Sequence, residues 1–322
     1  MMTVVHVVLP VFLIMGVGWL LIRVKLISRD VQQGLNAIAY WVGLPCLLFI
    51  KVARADLSAS DLGGVFTMTF GGMAGAYLVS RFLAGVMKLP AGSQGAFVQA
   101  AFRGNLAFVA LPVVEFSLEA VVQLAADPVA ARARADAAWV SVLFALGVMV
   151  IWYNFLGVTV LALDQKDGRV PSMFSLFRKW ITNPLIIACV LGWLVNVSGV
   201  SIPIFLERSC ESLGRAALAM ALLGIGAHLA LTRVAGNLRW AVVASGVKCV
   251  ISPLCGWWLG RMIGIDDYAF MCGLLMLAAP TAVASYVLTD QMGGDSDLGA
   301  NCVVVSTACS FGSFIVLLML VT

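Results

Sequence analysis

The chain has 322 residues, of which 62% are apolar and only 11% charged, with a formal net charge of +4. A water-soluble domain carries about 25% charged and about 45–50% apolar residues, so this composition cannot cover a water-facing surface. A soluble domain is excluded, the modest charge leaves no nucleic-acid footprint, and the expectation is an all-α integral membrane protein whose first partner is the lipid bilayer.

A spanning helix needs roughly 20 apolar residues to cross about 30 Å of hydrocarbon. Ten segments meet that need: Val4–Ile22, Val31–Ile50, Leu62–Val86, Gln94–Phe116, Ala137–Leu163, Ile181–Val197, Leu213–Leu231, Leu238–Met262, Tyr268–Gln291 and Leu298–Val321. The first has no preceding basic region and no small-residue cleavage site, so it reads as a span and not as a removed signal. The longest polar connections, Asp127–Asp136 and Asp164–Trp180, are too short for a separate soluble domain.

Lys and Arg set the orientation. With the N-terminus outside, the inner connections hold eleven cations: Arg23, Lys25, Arg29, Arg81, Lys88, Lys166, Arg169, Arg178, Lys179, Arg233 and Arg239. The outer ones hold seven: Lys51, Arg54, Arg132, Arg134, Arg208, Arg215 and Arg261. A multi-pass inner-membrane protein with both termini outside is predicted. Arg103 and Lys248 are left over, inside spans.

The connection at 164–180, read as cytoplasmic, divides the chain into five spans over 1–163 and five over 181–322. An odd number per half forces the second half to insert inverted, the arrangement of many secondary transporters. The fourth span of the first half holds Pro112, and the fourth of the second half holds Pro280. Proline removes a backbone donor and clashes with the carbonyl four residues back. In lipid, freed carbonyls must find partners or line a cavity. Asn105, Thr281, Ser285 and Thr289 can supply such partners. Either proline alone is explained by a plain kink. The matched pair predicts two interrupted helices that cross near the midplane and aim their ends at one small volume.

Six segments in order carry a family resemblance: Asn36–Phe49 (NAIAYWVGLPCLLF), Phe102–Val114 (FRGNLAFVALPVV), Asn183–Asn196 (NPLIIACVLGWLVN), Ala216–Leu229 (AALAMALLGIGAHL), Lys248–Trp258 (KCVISPLCGWW) and Ala278–Asp295 (AAPTAVASYVLTDQMGGD). At these residues the chain resembles the auxin efflux carrier family, which includes plant auxin exporters and bacterial permeases assigned to malonate, malate or related acids. The resemblance implies a ten-helix fold of two inverted five-helix repeats, divided into a scaffold and a transport domain, with the fourth and ninth helices broken at prolines and crossing. Pro112 and Pro280 match those prolines. The central connection is short, as in the bacterial members.

Arg103 is the sharpest candidate. A cation at mid-span costs about 2.5–3.5 kcal/mol on insertion scales, and its fork suits a carboxylate. It recognises an anionic substrate or props up carbonyls of a broken helix. Lys248 is a substrate counter-charge, a coupling proton site, or a fixed stand-in for a bound cation near the crossing. Asn105 lies two turns before Pro112, on the face of the break, and its amide suits a carboxylate or a carbonyl. Asp290 is the one acid close to the second crossing. Asn36 and Pro45 are weaker candidates; Asn183 and Pro184 are explained by a helix start. His6, His228 and Glu115 are explained as span ends, with proton transfer the alternative for His228 and Glu115. The Gly-rich runs Gly63–Gly75 and Leu223–Ala227 read as close packing, Trp19, Trp139, Trp180 and Trp240 as interfacial anchors, and the eight cysteines as small apolar residues.

The expected function is secondary transport of a small organic anion, a dicarboxylate such as malonate or malate or an auxin-like carboxylate, by alternating access. The site is framed by Arg103, Asn105, Pro112, Pro280, Thr281 and Ser285, with Lys248 and Asp290 as coupling or counter-charge. No Walker A motif is present, so no cofactor is expected, and coupling to protons or sodium is left open. A substrate-sensing membrane domain is the alternative. A membrane enzyme lacks a nucleophile-base pair or a metal cluster in the sequence. A homodimer is compatible with the small-residue faces.

Overall fold

The structure, a computed structural model, describes residues 2–54, 61–164, 182–234, 236 and 238–321, with side chains from residue 7 onward. Among these residues the fold is all-helical, with twelve helices and no strand. They are α1 (Met2–Arg23), α2 (Arg29–Ala53), α3 (Leu62–Val86), α4 (Gln94–Phe102), α5 (Leu106–Leu124), α6 (Pro128–Asp164), α7 (Pro184–Ser198), α8 (Ile204–Leu231), α9 (Leu238–Ile263), α10 (Asp267–Ala278), α11 (Val283–Gln291) and α12 (Ser296–Val321). Seven of them (α2, α3, α5, α6, α8, α9 and α12) are long and apolar enough to cross a membrane. Residues 165–180 of the expected central loop, with Lys166, Arg169, Arg178, Lys179 and Trp180, lie outside the described residues, as do the side chain of His6 and its surroundings.

The outer surface is apolar. Leu78, Phe82, Leu163, Trp258, Met262 and Leu320 are more than half exposed, an arrangement that favours lipid over water. Phe97, Phe102, Trp139, Phe270 and Phe314 fill the interior.

The helices pack in two groups. In one, α1 lies along α8 and α7 along α2, and α8 also meets α2. In the other, α3 packs on α9, α6 lies against α3, α4 and α5, and α12 lies against α9, α10 and α11. The groups meet mainly where α1 touches α5 and α12 and where α8 touches α5. Glycines set the closest approach in the first group. A Cβ on Gly226 would overlap the Met15 carbonyl, and one on Gly224 would overlap Asn36. The Gln32 side chain donates to the Gly224 carbonyl at 3.3 Å. This agrees with the packing reading of Leu223–Ala227.

Three prolines are absorbed without a break. Pro45, Pro112 and Pro253 each follow a π-helical turn: Ala39–Gly43, Leu106–Ala110 and Val247–Ile251. A wider turn shifts the ladder by one residue, so the carbonyl that proline would strike is moved and its missing donor is not needed. This corrects the expectation for Pro112. It starts the regular part of α5 and does not interrupt the span; the interruption lies at Arg103–Asn105. Pro280, by contrast, stands inside its break, between α10 and α11. Proline disfavours the helical region for the residue before it, and Ala279 is extended at φ −55°, ψ 142°.

α6 begins at Pro128, well before the expected Ala137. The Asp127 carboxylate caps it by accepting from Val129 N (3.0 Å) and Ala130 N (3.1 Å), and Pro128 follows at the first helical position. Trp139 is therefore about three turns inside the helix and buried, not an interfacial anchor. Its ring lies beneath Lys51, 5.7 Å from the ammonium.

Candidate functional site

The two interrupted spans meet through their backbones. Arg103 (φ −84°, ψ 101°) ends α4 in extended conformation, and Asn105 (φ −82°, ψ 71°) opens α5. Asn105 N donates to Pro280 O at 2.7 Å, and Ala282 N donates to Arg103 O at 3.0 Å, forming an antiparallel bridge between Gly104 and Thr281. Side chains satisfy three further backbone groups at the crossing. Thr281 Oγ1 donates to Ala100 O, among the last carbonyls of α4, at 2.8 Å. Thr281 N donates to Ser306 Oγ of α12 at 2.9 Å. Lys248 Nζ, from the π-helical turn of α9, donates to Leu277 O near the end of α10.

Glycine at 104 leaves room for this approach. A Cβ there would lie 3.2 Å from Lys248 Cε and 3.3 Å from Nζ. Lys248 is fully buried, Arg103 is 8% exposed, and neither has an acidic partner among the described residues. Each cation stands at the C-terminal end of one half-helix, Arg103 as the C-cap residue of α4 and Lys248 of α9 against the end of α10, where the macrodipole is negative. The opposed ends, the N-termini of α5 and α11, carry partial positive charge. The centre of the molecule is thus net positive and rich in backbone polar groups.

Arg103 is held from several sides. Its Nη2 donates to Asn154 Oδ1 of α6 at 2.8 Å. Nearby, the Tyr153 hydroxyl is bonded to the Gly104 backbone and the Tyr40 hydroxyl to Asn183. Asn183 also caps α7, accepting from Leu185 N at 2.9 Å, ahead of Pro184.

The structure gathers Arg103, Asn105, Pro280, Thr281, Ser285 and Lys248 at or near the crossing, all of them buried. The Asn105 side chain makes no cap bond, and Ser285 Oγ has no partner. Pro112 lies two turns along α5 from the break, buried. Asp290 is exposed at the far end of α11 and is not brought to the crossing. Glu115 pairs with Lys51 at 3.7 Å instead. Sequence reasoning passed over Gln99, Tyr153, Asn154 and Ser306. Gln99 and Asn154 stand as lone amides in apolar runs, and that was the available signal.

An apolar helical body around a buried, cation-bearing crossing of two interrupted spans defines a multi-pass membrane protein with a polar centre. A family model described as membrane transport protein matches residues 3–318, and the chain belongs to that family, the auxin efflux carrier-like membrane transporters. It is similar to an uncharacterized transporter of Methanothermobacter thermautotrophicus, 24% identical over 313 residues, covering 95% of this chain and 94% of that one. An uncharacterized transporter of Methanocaldococcus jannaschii is 22% identical over 313 residues, covering 94% of each. The family resemblance expected from the six segments therefore holds.

Proposed function

We propose that this membrane transport protein is a secondary transporter of a small organic anion, working by alternating access. The substrate class is a dicarboxylate such as malonate or malate, or an auxin-like carboxylate. The observation that carries the reading is the pair of buried cations, Arg103 and Lys248, with no acidic partner among the described residues, at the C-terminal ends of the two half-helices that cross. Each cation offsets the negative helix end beside it, and the N-termini of α5 and α11 remain to attract negative charge.

The packing supports an arrangement of two inverted five-helix repeats, 1–163 and 181–322. Contacts of the first half recur in the second: α1 on α8 as α7 on α2, α3 on α6 as α9 on α12, and α4 and α5 on α6 as α10 and α11 on α12. On this reading α1, α2, α7 and α8 form the scaffold, and the remaining helices form the moving transport domain. The extra cations of the inner connections put both termini outside an inner membrane.

Uptake of labelled malonate, malate and indole-3-acetate into proteoliposomes tests the proposal, with imposed proton and sodium gradients to identify coupling. Saturable uptake that accelerates in counterflow is expected. Binding of these acids without flux would assign the chain to the sensing alternative.

A further inference from the structure

Two buried donors close to the crossing have no acceptor among the described residues. Arg103 Nη1 and Gln99 Nε2 are unpaired in the interior, on side chains that are 8% and 0% exposed. The residues lie one turn apart on α4, and both reach α6 at Gly157. A Cβ at Gly157 would stand 2.8 Å from Gln99 Nε2 and 3.3 Å from Arg103 Nη1. Arg103 Nη2 and Gln99 Oε1 are engaged. Arg103 Nη2 donates to Asn154 Oδ1 at 2.8 Å, and Asn154 Nδ2 donates in turn to Val150 O at 2.9 Å. Gln99 Oε1 accepts from Thr289 Oγ1 of α11 at 3.3 Å, which leaves the amide nitrogen for α6.

Donors buried without acceptors are costly, more so when one is charged. Two of them converging on one glycine call for an acceptor that arrives and leaves. An apolar group leaves both donors unmet, and a cation is repelled by the guanidinium. A carboxylate accepts from both, with a charge-assisted bond to the arginine.

We infer that Gln99 and Arg103, above Gly157, form a subsite for one carboxylate group of the transported anion, with Asn154 and Thr289 as positioning residues. The identity of the ligand rests on the anion-transport reading. Gly157 acts by lacking a side chain, and the subsite lies beside the crossing, between α4 and α6.

The test uses the full chain, purified and reconstituted. Malonate binding is measured by calorimetry, melting by intrinsic fluorescence and flux by counterflow, in the parent, Gln99→Leu and Gly157→Ser. Both substitutions are expected to weaken malonate about tenfold or more, the loss of one bond to a charged group. A side chain at 157 fills the space before both donors, its Cβ 2.8 Å from Gln99 Nε2, so Gly157→Ser is expected to exclude the carboxylate while the flexible Gln99 amide shifts aside and melting stays close to that of the parent. Weaker binding in a protein that melts as the parent does separates a lost subsite from a lost fold. A parent that binds and moves malonate, with both variants unchanged in affinity, overturns the subsite and leaves the transport reading standing. A water held by the two donors, or a Gln99 amide that serves Arg103 alone, gives that result. Variant-sensitive binding without flux upholds the subsite and overturns the transport reading. A parent that neither binds nor moves malonate, malate or indole-3-acetate overturns both.

Discussion

Asn105 and Pro280, far apart in the chain, are joined by a backbone hydrogen bond of 2.7 Å. With the return bond from Ala282 to Arg103 it ties both interrupted spans into one unit. The bonds run between extended segments only two or three residues long, so neither half-helix can shift alone without stranding polar groups in an apolar interior.

Thr281 reinforces that joint by donating to Ala100 O. Thr281→Val keeps the shape and leaves a buried carbonyl unpaired, at a cost of about 1–3 kcal/mol. The melting temperature in detergent should fall, and Thr281→Ser should restore most of the loss. Equal melting of Thr281→Val and the parent would show that the bond contributes nothing to the joint.

Arg103→Ala is expected to abolish organic-acid flux while leaving a folded, monodisperse protein. Arg103→Lys keeps the charge but loses the planar fork held by Asn154, and should lower flux about tenfold. Transport of parental rate in the alanine variant would remove Arg103 from the site.

Lys248 is fully buried against Gly104. Lys248→Met retains most of the volume and deletes the charge. It should fold, since exchanging a buried charge for an apolar isostere is often neutral, and should lower carboxylate uptake about tenfold or more. Undiminished uptake would leave Lys248 as a fixed brace for the end of α10.

Helix packing offers a paired control. Gly226→Val drives a side chain into the Met15 carbonyl and should separate α1 from α8, with loss of folded protein on gel filtration. Gly16→Ala, on the adjacent turn of α1, meets nothing within 4 Å and should behave as the parent. Similar behaviour of the two would contradict the close α1–α8 contact.

Exposed charge contacts should matter little. Arg134 donates from Nε (3.1 Å) and Nη2 (2.6 Å) to Asp266 Oδ2 and covers the Tyr268 ring. Both partners are more than two-fifths exposed, and exposed pairs contribute about 0–1 kcal/mol. Arg134→Gln should shift melting only slightly, and less in high salt. A large salt-independent loss would mean that the pair fixes how α10 docks on α6.

Leu62–Val86 was predicted to the residue because a run of apolar residues between polar ends is a local property. The start of α6 was missed because its charges looked like a loop, whereas an Asp cap, a leading proline and alanines carry a helix out past the hydrocarbon. Pro112 was read as a breaker because proline removes a donor. A π-helical turn answered the same deficit, and the chain parted instead at Gly104, where Lys248 needs the space. Gln99 and Asn154 drew no attention since each is a single amide on an apolar helix, with its partners on other elements.

The apolar surroundings and the seven long apolar helices followed from composition, because the transfer of each side chain into hydrocarbon adds up along the chain with little regard for neighbours. Which backbone atoms pair at the crossing, which cation meets which helix end, and which donors stay empty depended on atoms brought together from α4, α6, α9, α10 and α12. Hydrogen bonds act over about 3 Å and by angle, so only the folded chain, with those helices at their final distances, could select the partners.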